Sequence, residues 1–177
     1  MAAEFSNVAY VILGFLAKHE DPLSGYDLKQ YIDQSVRFFF TASYGQIYPE
    51  LKKLAEAGLV TGEDRATGGR ARTAYSITDE GHATLRAWLL ENENRIEMRD
   101  EGILRIFFSG ELTKEEQLGK LRELRDERAE TLATLKSIQV VRGGGLPQMP
   151  DLVLEYGLGL HQYVIDWCDR SIAKLES

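Results

Sequence analysis

The sequence has 177 residues, of which 44 % are hydrophobic and 28 % charged, and its formal net charge is −7. This length is enough to bury a core in one or two domains, and the composition is ordinary for a soluble globular protein, so a disordered chain is not expected. A protein that is basic throughout is excluded too, so any DNA-binding site must be a local basic patch. The acidity is uneven, because residues 1–90 carry 9 basic and 11 acidic side chains and the remainder 12 and 17.

The first 35 residues predict two helices. Apolar residues recur at helical spacing in NVAYVILGFLA, and with an acidic residue but no basic one ahead of them we expect no signal peptide. In DPLSGYDLKQYID, Ser24 is a candidate N-cap with Asp27 at the third helical position. The apolar face of this second helix is predicted to consist of Tyr26, Leu28, Tyr31 and Ile32.

The stretch SYGQIYPELKKLAEAGLV, residues 43–60, predicts a third helix capped by Ser43, which completes helix-turn-helix order. On a helical wheel the side expected to face the core consists of Ile47, Leu51, Leu54 and Gly58. The opposite side consists of Gly45, Gln46, Pro49, Lys52 and Lys53. A flat face edged by amide and ammonium groups could enter a major groove, where Gln pairs with adenine and Lys meets phosphate. A solvated face with a tolerated proline is an equally good interpretation of this helix.

The next segment, LVTGEDRATGGRARTAYSI, predicts a β-hairpin that turns at Gly68-Gly69, because glycine supplies the positive φ of tight turns. The loop and its flanks carry Arg65, Arg70 and Arg72, which suits contact with phosphate or the minor groove. The alternative is a solubilising hairpin that protects a sheet edge. A helix-turn-helix followed closely by a basic hairpin is the winged-helix layout, and together the two features favour DNA binding.

These segments resemble the PadR-type transcriptional regulators. The match to that family's recognition helix rests on Tyr48, Pro49, Leu51, Leu54, Gly58 and Leu59. The match to its second wing strand and the following helix rests on Tyr75, Thr78 and Gly81. The second half resembles the family's smaller subtype more loosely, through RDEGILRIFFSGELTKEEQ and VLEYGLGLHQYVIDW. The resemblance implies a dimeric repressor that binds a pseudo-palindromic operator and is often released by a small molecule.

The second half predicts amphipathic helices. One begins at the N-cap Thr78 and a long one at the capping box of Thr113 and Glu116. The long helix carries Leu118, Leu121, Leu124, Leu132, Leu135 and Ile138 at coiled-coil-like spacing. The last helix aligns Val153, Tyr156, Leu160, Tyr163, Val164 and Trp167 on one face. These stripes are too one-sided to bury themselves, so we expect a second copy of the chain to cover them in a homodimer.

No catalytic motif occurs, and no enzyme activity, cofactor or metal is expected. We expect His19, His82 and His161 to be surface or cap residues, and the single Cys168, which fits a reducing cytoplasm, to be a small buried hydrophobe. No apolar run reaches the roughly 18 residues of a membrane span. Six aromatic residues are candidates for an effector pocket between domains or subunits, although such side chains are more often plain core: Trp88, Phe107, Phe108, Tyr156, Tyr163 and Trp167.

The predicted fold is mainly α with a small β-hairpin: a winged helix-turn-helix DNA-binding domain over 1–95 and a helical dimerisation domain over 96–177. The predicted contacts with double-stranded DNA are Ser43, Tyr44, Gly45, Gln46, Tyr48, Pro49, Lys52, Lys53, Arg65, Arg70, Arg72 and Tyr75. In this hypothesis Gln46 and Tyr44 meet base edges, and Pro49 fixes the backbone that enters the groove. The alternative is a winged-helix module for protein contact, against which the three arginines argue.

Overall fold

The computed structural model describes residues 5–67, 70–91, 100–142 and 148–177, and within these ranges it leaves out the side chains of 65–71 and 140–142. The chain divides into two compact units, Met1–Arg95 and Ile96–Ser177. The architecture is mainly helical with one small antiparallel sheet, which confirms the predicted fold class.

Three helices build the core of the first unit: α1 (Asn7–Lys18), α2 (Gly25–Ser35) and α3 (Tyr44–Glu56). The predicted capping box of α2 is present, since the Ser24 hydroxyl accepts from the N–H of Asp27, and the Asp27 carboxylate accepts from the N–H of Ser24. The helices pack through fully buried aliphatic side chains, which include Ile12, Leu13, Leu28, Ile32, Ile47, Leu51 and Leu54. The periodicity therefore placed most of this core correctly, with Tyr26 of α2 and Gly58 after α3 as the exceptions.

A three-stranded antiparallel sheet completes this unit, in the order β1-β3-β2. The predicted hairpin consists of β2 (Val60–Thr67) and β3 (Arg70–Ile77), and we call it the wing. Its predicted turn at Gly68-Gly69 lies outside the described residues. Strand β1 (Leu23–Ser24) was not predicted, and it pairs with Tyr75 and Ala74 of β3.

The end of α3 differs from the prediction at Gly58. This residue was expected to face the core, but it is exposed and lies beyond the helix with φ +73°. The N–H of Gly58 donates to Ala55 and that of Leu59 to Leu54, the two hydrogen bonds of a Schellman cap. Glycine is favoured here because the left-handed conformation strains any residue with a Cβ.

Helix α4 (Asp79–Leu89) begins at the predicted N-cap Thr78, next to this cap. The Thr78 hydroxyl donates to the Gly58 carbonyl at 2.8 Å, and its N–H donates to the Leu59 carbonyl at 3.1 Å. Gly81, one turn into α4, lies so close to that same Leu59 carbonyl that a Cβ would overlap the oxygen. Thr78 and Gly81, two of the residues on which the family resemblance rests, thus hold the start of α4 against the end of α3.

The second unit contains α5 (Glu101–Phe107), a 3-10 turn (Ser109–Glu111), α6 (Lys114–Arg142) and α7 (Met149–Glu176). The predicted Thr113–Glu116 capping box is present, and it lowers the pKa of the Glu116 carboxyl. The α6 stripe is buried within the single chain at Leu118, Leu121, Leu124, Leu132 and Leu135, where α6 packs against α7, although a second copy was expected to cover it.

Helix α7 buries a different set of residues from the predicted face. The buried side chains are His161, Ile165 and Cys168, so the expectation that His161 is a surface or cap residue was wrong and that of a buried Cys168 is confirmed. Burial lowers the pKa of His161, with a further contribution from Arg128, and raises the pKa of the Cys168 thiol.

In the described part of the chain, no helix is both long and apolar enough to cross a membrane.

Candidate nucleic-acid interface

The exposed face of α3 has the composition that the helical wheel predicts. All five residues assigned to it are exposed, namely Gly45, Gln46, Pro49, Lys52 and Lys53. Pro49 lies inside the 13-residue helix, where its missing N–H leaves the Gly45 carbonyl without the usual donor four residues on. An interior proline costs a helix roughly 3 kcal/mol, so the two poor helix formers weaken α3 on its solvent side.

The glycine of this face is not required by the packing of the chain. A Cβ built on Gly45 would have only the Ser43 hydroxyl within 4 Å, at 3.7 Å, and its φ is not positive. An alanine would fit and would favour the helix by about 0.5–1 kcal/mol. The absence of a side chain here leaves the backbone open to close approach by another molecule.

The side-chain oxygen of Gln46 already takes part in capping the N-terminus of its own helix. Its Oε1 accepts from the Ser43 N–H at 2.9 Å and from the Ser43 hydroxyl at 3.1 Å, which forms a capping box. The backbone donor fixes the orientation of the amide, so Nε2 points away from Ser43. Pairing of Gln46 with an adenine edge through both Oε1 and Nε2 would therefore require this cap to open, whereas donation from Nε2 alone does not.

Two tyrosines cover the N-terminal half of α3. The rings of Tyr44 and Tyr48 stack with centroids 6.3 Å apart, and Tyr48 lies over Gly25 so closely that a Cβ there would be 2.7 Å from the ring. The ammonium of Lys29 lies 5.9 Å from the centroid of the Tyr44 ring. The tyrosine rings are thus held in place by α2, and both remain about half exposed.

The lysines of α3 are paired with carboxylates. Lys53 Nζ lies 2.8 Å from Glu50, a buried carboxylate whose second oxygen has no partner among the described residues. Lys52 lies 3.7 Å from Glu56, and both side chains are well exposed. An exposed pair of this kind contributes little to stability, so Lys52 can exchange Glu56 for a phosphate, whereas Lys53 also neutralises a buried charge.

The wing contributes Arg72, whose guanidinium carbon lies 5.3 Å from the centroid of the Tyr26 ring. The strand register places Arg65 opposite Arg72, but the side chains of Arg65 and Arg70 lie outside the described part of the structure. Tyr75 is half-buried and packs against the core of the unit, which does not favour the predicted contact with DNA.

Sequence reasoning missed Gly25, Tyr26 and Lys29 as parts of this surface. The prediction assigned Tyr26 to the apolar face of α2, but its side chain is 42 % exposed. Its Oη accepts from Gln30 Nε2 at 2.9 Å. Tyr48 lies on Gly25 and Arg72 on the adjacent Tyr26, so the first turn of α2 joins the exposed face of α3 to the wing.

The candidate effector residues are divided between the two units, with Trp88 in the first and the other five in the second. Trp88 stacks on Tyr10 in the first unit, with centroids 4.7 Å apart. In the second unit Phe107 and Phe108 form an exposed edge-to-face pair, Tyr156 and Tyr163 are exposed, and Trp167 is half-buried. Among the described residues, no group of three His, Cys, Asp or Glu side chains could hold a metal ion.

Comparison with known proteins identifies relatives over nearly the whole chain. Residues 12–87 match the model of the transcriptional regulator PadR-like family, and residues 98–176 match that of the virulence activator alpha C-terminal region. The negative transcriptional regulator PadR of Bacillus subtilis is 30 % identical, over 94 % of this chain and 96 % of the relative.

Solved structures agree with this relationship. Bacillus subtilis PadR in complex with operator DNA superposes with a TM-score of 0.84 at 27 % identity, over 96 % of this chain and 99 % of the other. The same protein in complex with p-coumaric acid gives a TM-score of 0.76 at 28 % identity, over 98 % and 99 % of the two chains.

Proposed function

Because this chain belongs to the PadR-like family of transcriptional regulators, we propose that it represses transcription by binding operator DNA with α3 and the wing. It is a regulator and not an enzyme. The relative named for PadR acts negatively and one of its structures contains operator DNA, which supports repression at an operator.

The observation that carries the DNA-binding proposal is the exposed position of Gly45 and Pro49 on a helix that neither residue stabilises. A face that lacks a side chain at one position and carries a rigid ring at another lets the helix approach the floor of a groove. The major groove of B-DNA is about 12 Å wide and admits one helix.

Individual roles follow from the contacts that each residue makes. Gln46 donates from Nε2 to an acceptor on a base edge while Oε1 keeps the cap, and Tyr44 contacts the neighbouring base. Lys52 and Arg72 meet phosphates, and the Tyr48 hydroxyl reaches a third. Ser43 supports Gln46, and Lys53 adds charge near the backbone while it neutralises Glu50. Arg65 and Arg70 add wing contacts in this proposal, and Tyr75 holds the wing strand.

We also propose that the chain is a homodimer formed through its second unit. Helix α5 leaves Phe107 and Phe108 mostly exposed, and α7 does the same with Tyr156 and Tyr163, which are 71 % and 62 % exposed. Large apolar side chains in such number call for a partner surface, and an identical chain is the simplest one. A two-fold dimer would present two α3 helices to half-sites about 34 Å apart.

The proposed effector is a small aromatic acid or phenol. The support is the p-coumaric acid complex of the Bacillus subtilis relative, together with the aromatic side chains that α5 and α7 leave exposed. The candidates in the second unit are Phe107, Phe108, Tyr156, Tyr163 and Trp167, whereas Trp88 stacks on Tyr10 in the first unit. Isothermal titration of the protein with p-coumaric acid tests the proposal, and benzoic acid serves as a smaller comparison ligand.

Selection of bound fragments from the genome that encodes this chain tests the central proposal. We expect one or a few sites with two-fold sequence symmetry to be enriched, with promoters beside them. The selected duplex should bind at least about 10³-fold more tightly than a duplex of shuffled sequence. Equal binding to both duplexes would contradict operator recognition and leave only general affinity for DNA.

A further inference from the structure

We propose that Tyr26 is a positioning residue for DNA binding, which holds the Arg72 guanidinium ready for a phosphate. This inference rests on the proposed function of the α3 and wing surface. It assigns a role to a side chain of α2 that is not among the predicted contacts.

The backbone explains why these two residues meet. Strands β1 and β3 pair Leu23 with Tyr75 and Ser24 with Ala74 in antiparallel register. Continuing that register by two residues brings Tyr26 level with Arg72, but by then the chain has entered the first turn of α2. The Tyr26 ring therefore lies where the next residue of a longer β1 would have been. The guanidinium carbon of Arg72 lies 5.3 Å from the centroid of this ring. This distance is within the range of a cation–π interaction.

The contact leaves the charge of Arg72 available. Lys29, Lys52 and Lys53 each lie within 4.0 Å of a carboxylate. No such carboxylate partner occurs for Arg72 among the described residues. A ring orients a guanidinium without cancelling its charge, which is the condition for ready contact with phosphate.

The Tyr26 ring is also held by a hydrogen bond to its hydroxyl. Tyr26 Oη accepts from Gln30 Nε2 at 2.9 Å, one helical turn further along α2. The sequence before Tyr26 is constrained as well, because Gly25 lies directly beneath the Tyr48 ring. The first turn of α2 thus sets the spacing between the base-reading helix and the cation on the wing.

The test compares Tyr26→Leu, Tyr26→Phe, Arg72→Gln and the double variant Tyr26→Leu/Arg72→Gln in the full chain. The probe is a labelled duplex of mixed sequence, titrated by fluorescence anisotropy at several salt concentrations. Arg72→Gln should lower the slope of log K against log salt by about 0.9, the value for one lost phosphate contact. Tyr26→Leu should weaken binding about two- to fivefold, the equivalent of an exposed cation–π contact of roughly 0.5–1 kcal/mol. Tyr26→Phe keeps the ring but loses the hydrogen bond from Gln30, so it should bind more weakly than the unmodified protein and more tightly than Tyr26→Leu.

The double variant separates positioning from an independent contact. If Tyr26 acts through Arg72, the double variant should bind as weakly as Arg72→Gln and no more so. Additive losses, or a Tyr26→Phe variant as weak as Tyr26→Leu, would overturn the inference. Arg86→Gln, which removes an exposed charge from α4, is the charge-matched control and should keep the salt slope. A failure of the proposed function would look different, because the unmodified protein would then not bind the duplex measurably at any of the salt concentrations.

Discussion

Gln46 Oε1 accepts hydrogen bonds from both the backbone N–H and the hydroxyl of Ser43, so one amide caps α3 with its oxygen and exposes its nitrogen on the proposed DNA face. A side chain with two such roles cannot be interpreted from an alanine variant, which removes both. The two roles can be separated by a substitution that keeps the acceptor and removes the donor.

Gln46→Glu is that substitution. A carboxylate at the third helical position maintains the capping box and interacts favourably with the helix dipole, so thermal stability should be equal to or higher than that of the unmodified protein. Operator affinity should fall sharply, because the carboxylate cannot donate to a base and repels phosphate. Gln46→Ala should instead lose about 0.5–1 kcal/mol of stability and relax the preference at one base position by about 1–3 kcal/mol. Calorimetry and operator titration of both variants check this, and full operator affinity in Gln46→Glu would exclude Gln46 from the interface.

Gly45→Ala should likewise raise stability while it weakens DNA binding. The new methyl group has space in the free chain and favours the helix by about 0.5–1 kcal/mol. In a tight groove the same methyl should overlap DNA and cost about 1–3 kcal/mol of binding. Gly14→Ala in α1, where a Cβ also meets nothing within 4 Å, is the matched control and should stabilise the chain with no change in DNA affinity. Unchanged operator binding by Gly45→Ala would show that α3 does not approach DNA at this residue.

Gly81→Ala should destabilise the first unit. Its Cβ would overlap the Leu59 carbonyl, which is held by the N–H of Thr78 and cannot move aside cheaply. We expect a loss of about 1–3 kcal/mol, or more if the start of α4 separates from the end of α3. Urea unfolding followed by tryptophan fluorescence measures the change, because Trp88 lies in α4. Stability equal to that of Gly14→Ala would contradict the close packing of Gly81.

His161 should make the second unit sensitive to mild acid. Burial and the charge of Arg128 lower the pKa of this imidazole below 6.5, while Glu127 opposes the shift. The unfolded chain therefore binds the proton more readily than the folded chain does. The stabilising contribution is complete above about pH 6.5 and is lost as the pH falls from there towards the folded pKa. Between pH 8 and pH 5, the unfolding temperature of His161→Gln should depend less on pH than that of the unmodified protein. The control His82→Gln, which replaces an exposed histidine, should keep the pH dependence of the unmodified protein. Identical profiles for all three proteins would contradict the prediction.

The apolar face of α7 should control the oligomeric state. Replacing Tyr156 and Tyr163 by glutamate should convert the proposed dimer into a folded 20.0 kDa monomer, since buried carboxylates without partners are costly. Gln162→Glu adds a charge at an exposed position outside this face and should leave the dimer intact. Light scattering after size exclusion gives the mass, and circular dichroism verifies the fold. A double variant that stays dimeric would place the contact elsewhere.

Features set by local periodicity could be predicted from the sequence. The buried residues of α3 follow a 3.6-residue period, and the hairpin follows from two extended runs around Gly68-Gly69. Two features that the prediction did not include, the cap formed by Gln46 and the helix end at Gly58, had local signals that were not used. The pattern Ser43-x-x-Gln46 is a capping box, and glycine after the last apolar turn, as at Gly58, is a common helix end.

Other features depend on contacts between distant segments. Strand β1 is two residues long and exists only through its pairing with β3, so no period could reveal it. Helix α7 carries apolar residues on more than one side, and its packing on α6 selects the side with His161, Ile165 and Cys168. The contact of Arg72 with the Tyr26 ring likewise depends on the pairing of β1 with β3, which brings the wing to the start of α2.

Leu59 belongs to two elements at once, because its N–H closes the end of α3 and its carbonyl accepts from the start of α4. A short peptide with the sequence of α3 would therefore lack the hydrogen bond that holds the end of this helix against α4. A transplant into another winged scaffold would have to carry residues 43–81 as one block.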